Sequence, residues 1–353
     1  MILIMYPILL GKTISYQIKE VILLEINEVI AKCLEAPGIS VLKDDDKTTL
    51  CLEQKDGNGT MRFFSLFPGV TLAYIDIHSP TWPAPDLSGL AIDGEGMMTV
   101  KYCLHGRCEL VLNNSSYVYL TESQISLTER FAESQYIYPR RVYEGLELFI
   151  DLSSAAKEEV CLNRDFNLQM EQLKGRYCPS GETYIADASF GVEWNFQLLW
   201  ELGQNREIVP ARMKIAVLAL LDLLLHEKMS TSRPCTFYTE SQVNIAKKTE
   251  SILTSDLSRR YPVRELAAGF GVSETSLKNY FRGVYGKNIS DYLRDLRMEK
   301  AASLLASTRD TVVQIAEVVG YTNQSKFASV FKKKYGVTPL EYRRTARLSD
   351  HGK

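Results

Sequence analysis

The strongest constraint on this chain is a repeat near its C-terminus. Shifted by 49 to 50 positions, Glu265–Gly286 (ELAAGFGVSETSLKNYFRGVYG) lies over Gln314–Gly336 (QIAEVVGYTNQSKFASVFKKKYG). Ala267 then falls on Ala316, Gly271 on Gly320, Phe281 on Phe331, Tyr285 on Tyr335 and Gly286 on Gly336, followed by Tyr292 on Tyr342 and Arg294 on Arg344. A repeat this regular is one supersecondary unit built twice. Each copy reads as a short helix, a turn at glycine and a second helix, the helix-turn-helix arrangement whose second helix can enter a DNA major groove.

The local signals around the repeat define helices. Val243–Ser258 and Val263–Phe270 precede the turn at Gly271, and Ser273 is placed to cap Glu274–Tyr285. In that helix Leu277, Phe281 and Tyr285 recur at four-residue steps and are assigned to the core. A connector over roughly Ser290–Ala306 follows; its ~17 residues span about 25 Å, enough to hold two recognition helices in neighbouring major grooves. Thr311–Gln314 and Thr338–Glu341 match the capping-box pattern and start the next helices on either side of Asn323–Tyr335. The C-terminal third is therefore expected to be all-α, with seven helices forming two helix-turn-helix units.

The charge is divided along the chain. The last third, from Ser241, carries 20 Lys+Arg against 11 Asp+Glu, a net of +9; of the chain totals of 41 and 43 this leaves 21 against 32 for the part before it. A basic third on an acidic remainder implies that only the last third faces a polyanion. At 353 residues, 45% hydrophobic and 24% charged, the chain has the composition of a globular protein of two domains. Seven scattered cysteines without a CxxC pair argue for a reducing compartment and against a disulfide framework, so the expected location is cytoplasmic. The opening run MILIMYPILL is too short to span a bilayer and lacks the features of a signal peptide. It reads as a buried strand or helix start, or as translated sequence upstream of the true start.

The front two thirds have a different texture. Ile14–Leu34 has helical spacing, and Lys43–Lys47 reads as a solvated loop, so residues 1–59 are expected to be a helix and a loop. From Thr60 to Leu152 come short β-type runs: Arg62–Phe67, Thr71–His78, Met98–Leu104, Cys108–Leu112, Ser116–Leu120, Gln124–Leu127 and Tyr143–Asp151. Hairpin turns are expected at His105-Gly106-Arg107 and Asn113-Asn114-Ser115, and the whole as an antiparallel sandwich or small barrel with flanking helices. Phe196–Leu202 and Pro210–Met229 read as trailing helices, the second with an apolar stripe wide enough for either its own barrel or a dimer partner. The β domain is thus expected over 60–229, a linker over 230–241, the helical domain over 242–346 and a tail over 347–353. The one local cluster with metal-ligand chemistry is Cys103-x-His105-x2-Cys108, with Cys103 and His105 on one strand face by alternation. Structural roles are preferred there, and no metal and no cofactor is expected.

Residues Leu277, Phe281, Gly286, Tyr292, Arg297, Ala301, Leu304, Ile315, Ala316, Gly320, Tyr321, Phe327, Phe331, Lys332, Gly336, Thr338-Pro339 and Tyr342-Arg343 together resemble the AraC/XylS family of bacterial transcription regulators, over about 100 residues. The resemblance implies DNA binding, promoter control and usually activation, with RNA polymerase as a partner of an activator. Carried over by position, Thr275, Lys278 and Asn279 are candidate base readers in the first unit, and Gln324, Ser325, Lys326 and Ser329 in the second. Gln and Asn suit adenine and Lys suits guanine, whereas Arg282, Lys332, Lys333, Arg343 and Arg344 suit phosphates. Many members of that family carry Arg where this chain has Asn279 and Ser329, so weaker guanine readout is implied.

Family members often place a cupin-like barrel before the DNA-binding domain, and the layout of the β region here is similar. The leading expectation is a DNA-binding regulator, not an enzyme, responding to a small-molecule effector and acting as a homodimer, with double-stranded DNA as partner and no membrane. Two alternatives remain: a front domain that only dimerises or binds a protein, and a repair-type enzyme fused to the same DNA-binding unit.

Overall fold

The computed structural model describes residues 38–44, 47–55, 57–83, 96–112, 115–129, 136–155, 161–205, 209–229 and 235–350. The expected N-terminal helix and the apolar opening run lie outside the described residues. The chain divides into two units, Met1–Phe237 and Tyr238–Lys353.

The first unit is mainly β, an antiparallel sheet curled into a half-barrel. Its strands are β1 (Ile39–Asp44), β2 (Lys47–Gln54), β3 (Gly57–Phe67), β4 (Val70–His78), β5 (Thr81–Trp82), β6 (Met97–Val111), β7 (Tyr117–Thr121), β8 (Gln124–Thr128), β9 (Tyr136–Ile137), β10 (Tyr143–Asp151) and β11 (Tyr184–Asp187). The central path runs β1-β2-β3-β4-β10-β6-β8-β11, with β7 paired to β6 and β9 to both β5 and β6. Strands begin well before Thr60. Of the stretch read as a solvated loop at Lys43–Lys47, Lys43 and Asp44 end β1 and Lys47 begins β2, the two strands pair antiparallel, and Asp44 pairs with Lys47 at 3.6 Å. Charged residues at a hairpin tip and in a loop look alike in sequence, which is why the flanking strands were not read.

Side-chain alternation separates two cores. Val70, Leu72 and Tyr74 of β4, Met98, Val100 and Tyr102 of β6, and Leu146, Leu148 and Ile150 of β10 pack against helices α4 (Phe190–Gln204) and α5 (Pro210–His226). The shorter α1 (Leu152–Ala155), α2 (Cys161–Arg164) and α3 (Glu171–Tyr177) precede them. Tyr102 stacks on Phe196 with centroids 4.6 Å apart, and the Tyr74 hydroxyl donates to the Leu199 carbonyl at 2.6 Å. The other face encloses Leu50, Leu52, Ala73, Ile75, Ile77, Trp82, Cys108, Leu110 and Leu120. Helix α5 spends Met213, Val217, Leu220, Leu221, Leu224 and Leu225 on its own unit, so its wide stripe is accounted for within the fold. Exposed apolar side chains lie on α4, at Phe190, Trp194 and Leu198, and on the outer side of α5 at Ile215.

Strand β6 corrects the reading of His105-Gly106-Arg107 as a hairpin. The chain continues through it: residues before it pair with β10 and β8, and residues after it with β7 and β9. A bulge makes this possible. Glu144 sits opposite His105 but Gly145 opposite Cys103, so Leu104 is the extra residue. An inserted residue reverses the alternation beyond it. Cys103 therefore turns into the inner core while His105 turns away from it, and the expected shared face for these two does not form. Burial pushes the Cys103 thiol well above its ordinary range. At Gly106, φ is +96° and a Cβ would lie 2.1 Å from the Val142 carbonyl oxygen, a conformation and a space open to glycine.

Gly106→Ala is accordingly expected to destabilise the first unit by on the order of 2–4 kcal/mol. Gly175→Ala, where a Cβ on α3 meets nothing within 4 Å, is expected to be neutral or slightly stabilising. Urea unfolding followed by tryptophan fluorescence distinguishes the two.

Candidate nucleic-acid interface

The second unit consists of helices α6 (Glu240–Ser255), α7 (Val263–Gly269), α8 (Glu274–Tyr285), α9 (Ile289–Ser307), α10 (Val312–Val318), α11 (Gln324–Tyr335) and α12 (Pro339–Asp350). Their ends are set by the residues on either side. Ser273 accepts from the Ser276 amide at 3.0 Å and Asn323 from the Lys326 amide at 2.9 Å, so each recognition helix has a side-chain cap. Both capping boxes form: Thr311 with Gln314, and Thr338 with Glu341, whose carboxylate accepts from the Thr338 amide at 2.7 Å. That amide holds the exposed Glu341 carboxyl below its ordinary range. Gly271 and Gly320 turn the chain at φ +65° and +79°, and Gly286 and Gly336 close α8 and α11 at φ +72° and +76°.

The repeat is structural as well as sequential. In the first copy Phe281 lies 4.7 Å from Tyr285 and 5.3 Å, edge-on, from Tyr292, with Tyr285 and Tyr292 5.0 Å apart. In the second, Phe331 lies 4.6 Å from Tyr335 and 5.4 Å, edge-on, from Tyr342, with Tyr335 and Tyr342 5.2 Å apart. Each triad clamps the inner stripe of a recognition helix to the helix that follows it. Leu277 and Phe281, and likewise Phe327 and Phe331, are fully buried. Burial and the nearby carboxylates Glu299 and Asp295, together with Tyr342, push the Tyr335 phenol up to about 12.

Burying one stripe leaves the other outward. Thr275, Lys278, Asn279 and Arg282 on α8 are exposed, as are Gln324, Ser325, Lys326, Ser329, Lys332 and Lys333 on α11, and Arg344 on α12. Lys278 pairs with Glu274 one turn earlier at 3.5 Å, in an exposed contact of small energetic weight. Arg343 differs from the others: it is half-buried and donates to the Asp310 carbonyl at 2.6 Å, tying α12 to the loop before α10. The third lysine of the run, Lys334, is also structural, bonding Asp295 O and Glu299 on α9 at 3.1 and 2.9 Å. Sequence reasoning left one organising residue without a role. Arg297 on α9 donates to the carbonyls of Leu257 and Arg259 at 2.8 and 2.9 Å, fixing the loop that enters α7. Those partners are some forty residues away, so no local pattern points to them.

Comparison with known proteins matches residues 266–345 to a family described as a helix-turn-helix domain. The chain is 33% identical over 105 residues to the HTH-type transcriptional activator CfaD of Escherichia coli, covering 30% of this chain and 39% of that protein. To the HTH-type transcriptional activator RhaR of Mannheimia succiniciproducens it is 32% identical over 93 residues, covering 26% and 34%. The C-terminal domain of AraT, a response regulator from Geobacillus stearothermophilus, is 35% identical over 29% of this chain and 84% of that domain, with a TM-score of 0.28. The second unit is an AraC-type helix-turn-helix domain. The chain spans about two fifths of the length of CfaD, and the first unit lies outside the family match at residues 266–345.

Phe331→Ala removes the centre of the second triad and is expected to destabilise the AraC-type domain by ~3–5 kcal/mol. Lys333→Ala on the outer face is expected to stay within about 0.5 kcal/mol. Chemical denaturation followed by circular dichroism measures both.

Proposed function

We propose that this chain is a sequence-specific DNA-binding transcription regulator, an activator in its main action, with double-stranded DNA as its partner and RNA polymerase as the machinery it recruits. The observation that carries this reading is the doubled motif: two recognition helices, each with a buried aromatic stripe and an exposed polar stripe, in a segment of net charge +9. Thr275, Lys278 and Asn279, and Gln324, Ser325, Lys326 and Ser329, read base edges. Arg282, Lys332, Lys333 and Arg344 neutralise phosphates, and Arg343 contributes through the loop it holds. The connector α9, at 19 residues, is about 28 Å long, which suits adjacent major grooves on one DNA face.

The first unit, a cupin-like barrel in this reading, senses a small effector. Its inner face supports that role by holding polar groups in one cross-strand row: Glu147 of β10, Lys101 of β6 and Ser126 of β8. Lys101 and Glu147 are buried with Nζ and Oε1 4.0 Å apart, and the buried Ser126 hydroxyl has no hydrogen-bond partner. Buried polar groups of this kind are costly to a purely structural core. Effector binding would favour one of two arrangements by differential affinity. A second reading, that this unit serves to pair two copies of the chain, is favoured by the exposed Phe190, Trp194 and Leu198 on α4. Both readings are compatible with a cytoplasmic homodimer. Among the described residues no helix is long and apolar enough to cross a membrane. A fused enzyme would need an activated thiol; burial raises those of Cys103, Cys178 and Cys235.

In a gel-shift titration, Lys278→Ala and Gln324→Ala are each expected to weaken operator binding by ~1–3 kcal/mol while leaving the melting temperature unchanged. Lys333→Ala is expected to weaken all sequences alike and lower the salt slope by about one. Unchanged binding by all three removes the assignment. For the first unit, Trp194→Ser is expected to shift sedimentation equilibrium from dimer to monomer, and Lys101→Met to abolish any metabolite-induced thermal shift. A metabolite panel without a thermal shift, together with loss of the dimer, favours the pairing role alone.

A further inference from the structure

Beyond the point where the end of α4 covers Tyr74 through Arg62 and Gly203, the same sheet face continues with charged residues. Alternation along β4 places Asp76 and His78 on this face, and the β10 register sets Glu144 directly opposite Asp76. We propose that Asp76, His78 and Glu144 form a binding site for a divalent transition-metal ion of the zinc class. Each offers one ligand atom, and these atoms all lie within 4.8 Å of one another. Metal bonds of about 2.0–2.2 Å require the donors to close by about 1 Å, which half-exposed side chains accomplish by rotation.

The local electrostatics call for a cation. Two carboxylates directly across an antiparallel pair repel. Asp76 Oδ1 is out of contact with solvent and receives no hydrogen bond, although His78 Nε2 stands 3.1 Å away. The two donor atoms thus converge at a distance that a bridging cation can use. Glu144 has no ion pair among the described residues. His105 flanks Glu144 on the other side, but Glu122 engages its Nδ1 at 3.0 Å, with Arg140 a further 3.9 Å contact to the same carboxylate. His105 and Arg140 are thus engaged by Glu122. One imidazole nitrogen with two carboxylate oxygens suits zinc and its first-row neighbours, where all-oxygen sets suit calcium and magnesium. Three protein ligands leave room for water, and such an ion would tie β4 to β10.

The test uses the full chain, stripped with a chelator and titrated with zinc chloride by calorimetry, with melting temperature as a second readout. One equivalent is expected to depend on this cluster. His78→Gln and Asp76→Asn are each expected to weaken that equivalent by at least about tenfold and to erase its thermal shift. His226→Gln, which alters another exposed histidine–carboxylate pair at 3.0 Å, is expected to leave it intact. Asp76→Asn is further expected to raise the melting temperature of the metal-free protein by relieving repulsion from Glu144. The absence of zinc binding in the unaltered chain overturns the proposal, as does binding of the same stoichiometry and affinity in His78→Gln.

Discussion

The AraC-type domain depends on one contact made twice, an edge-on phenylalanine–tyrosine pair closed by a second tyrosine. Phe281 with Tyr292 and Phe331 with Tyr342 each join a recognition helix to the helix after it. Aromatic packing of this kind is geometrically demanding, so it sets the rotation of α8 and α11 about their axes. That rotation decides which side chains meet solvent. The exposure of Lys278 and Asn279, and of Gln324 and Ser329, is thus a consequence of what Phe281 and Phe331 bury.

In the first unit the corresponding constraint is the bulge at Leu104. It lets β6 belong to the helix-backed part of the sheet and then to the β7 and β9 side without a hairpin. The reversal of side-chain direction gives the inner core Cys103 and then Cys108 and Leu110, and it turns His105 toward Glu122. The same sheet places an ion pair and a serine hydroxyl on its inner face and two facing carboxylates on the other.

Much of the helical domain was legible because its signals are local. Thr311 and Gln314, or Thr338 and Glu341, lie three residues apart and report on each other directly. Four-residue spacing marks Leu277, Phe281 and Tyr285 as an inner stripe. The β unit was legible in texture and at β10, but β1 and β2 were read as loop because their exposed ends mix polar and apolar residues without clean alternation. Gly106 was read as a turn because a glycine between polar residues marks a hairpin as readily as a bend. Arg343 was grouped with the phosphate contacts because nothing nearby in sequence shows that Asp310 engages it.

The sequence by itself determined the doubled unit, its caps and glycine turns, the AraC-type character of that C-terminal domain and the outward stripe of each recognition helix. All of these follow from the helical period and from contacts within a turn or two. Only the tertiary structure decided which basic residues are held in place, where the alternation of β6 reverses, and that Lys101 meets Glu147 and Asp76 meets Glu144. Those meetings depend on strand register, which is set by pairing between segments far apart in the chain, where shifting a strand by one residue sends every side chain to the opposite face.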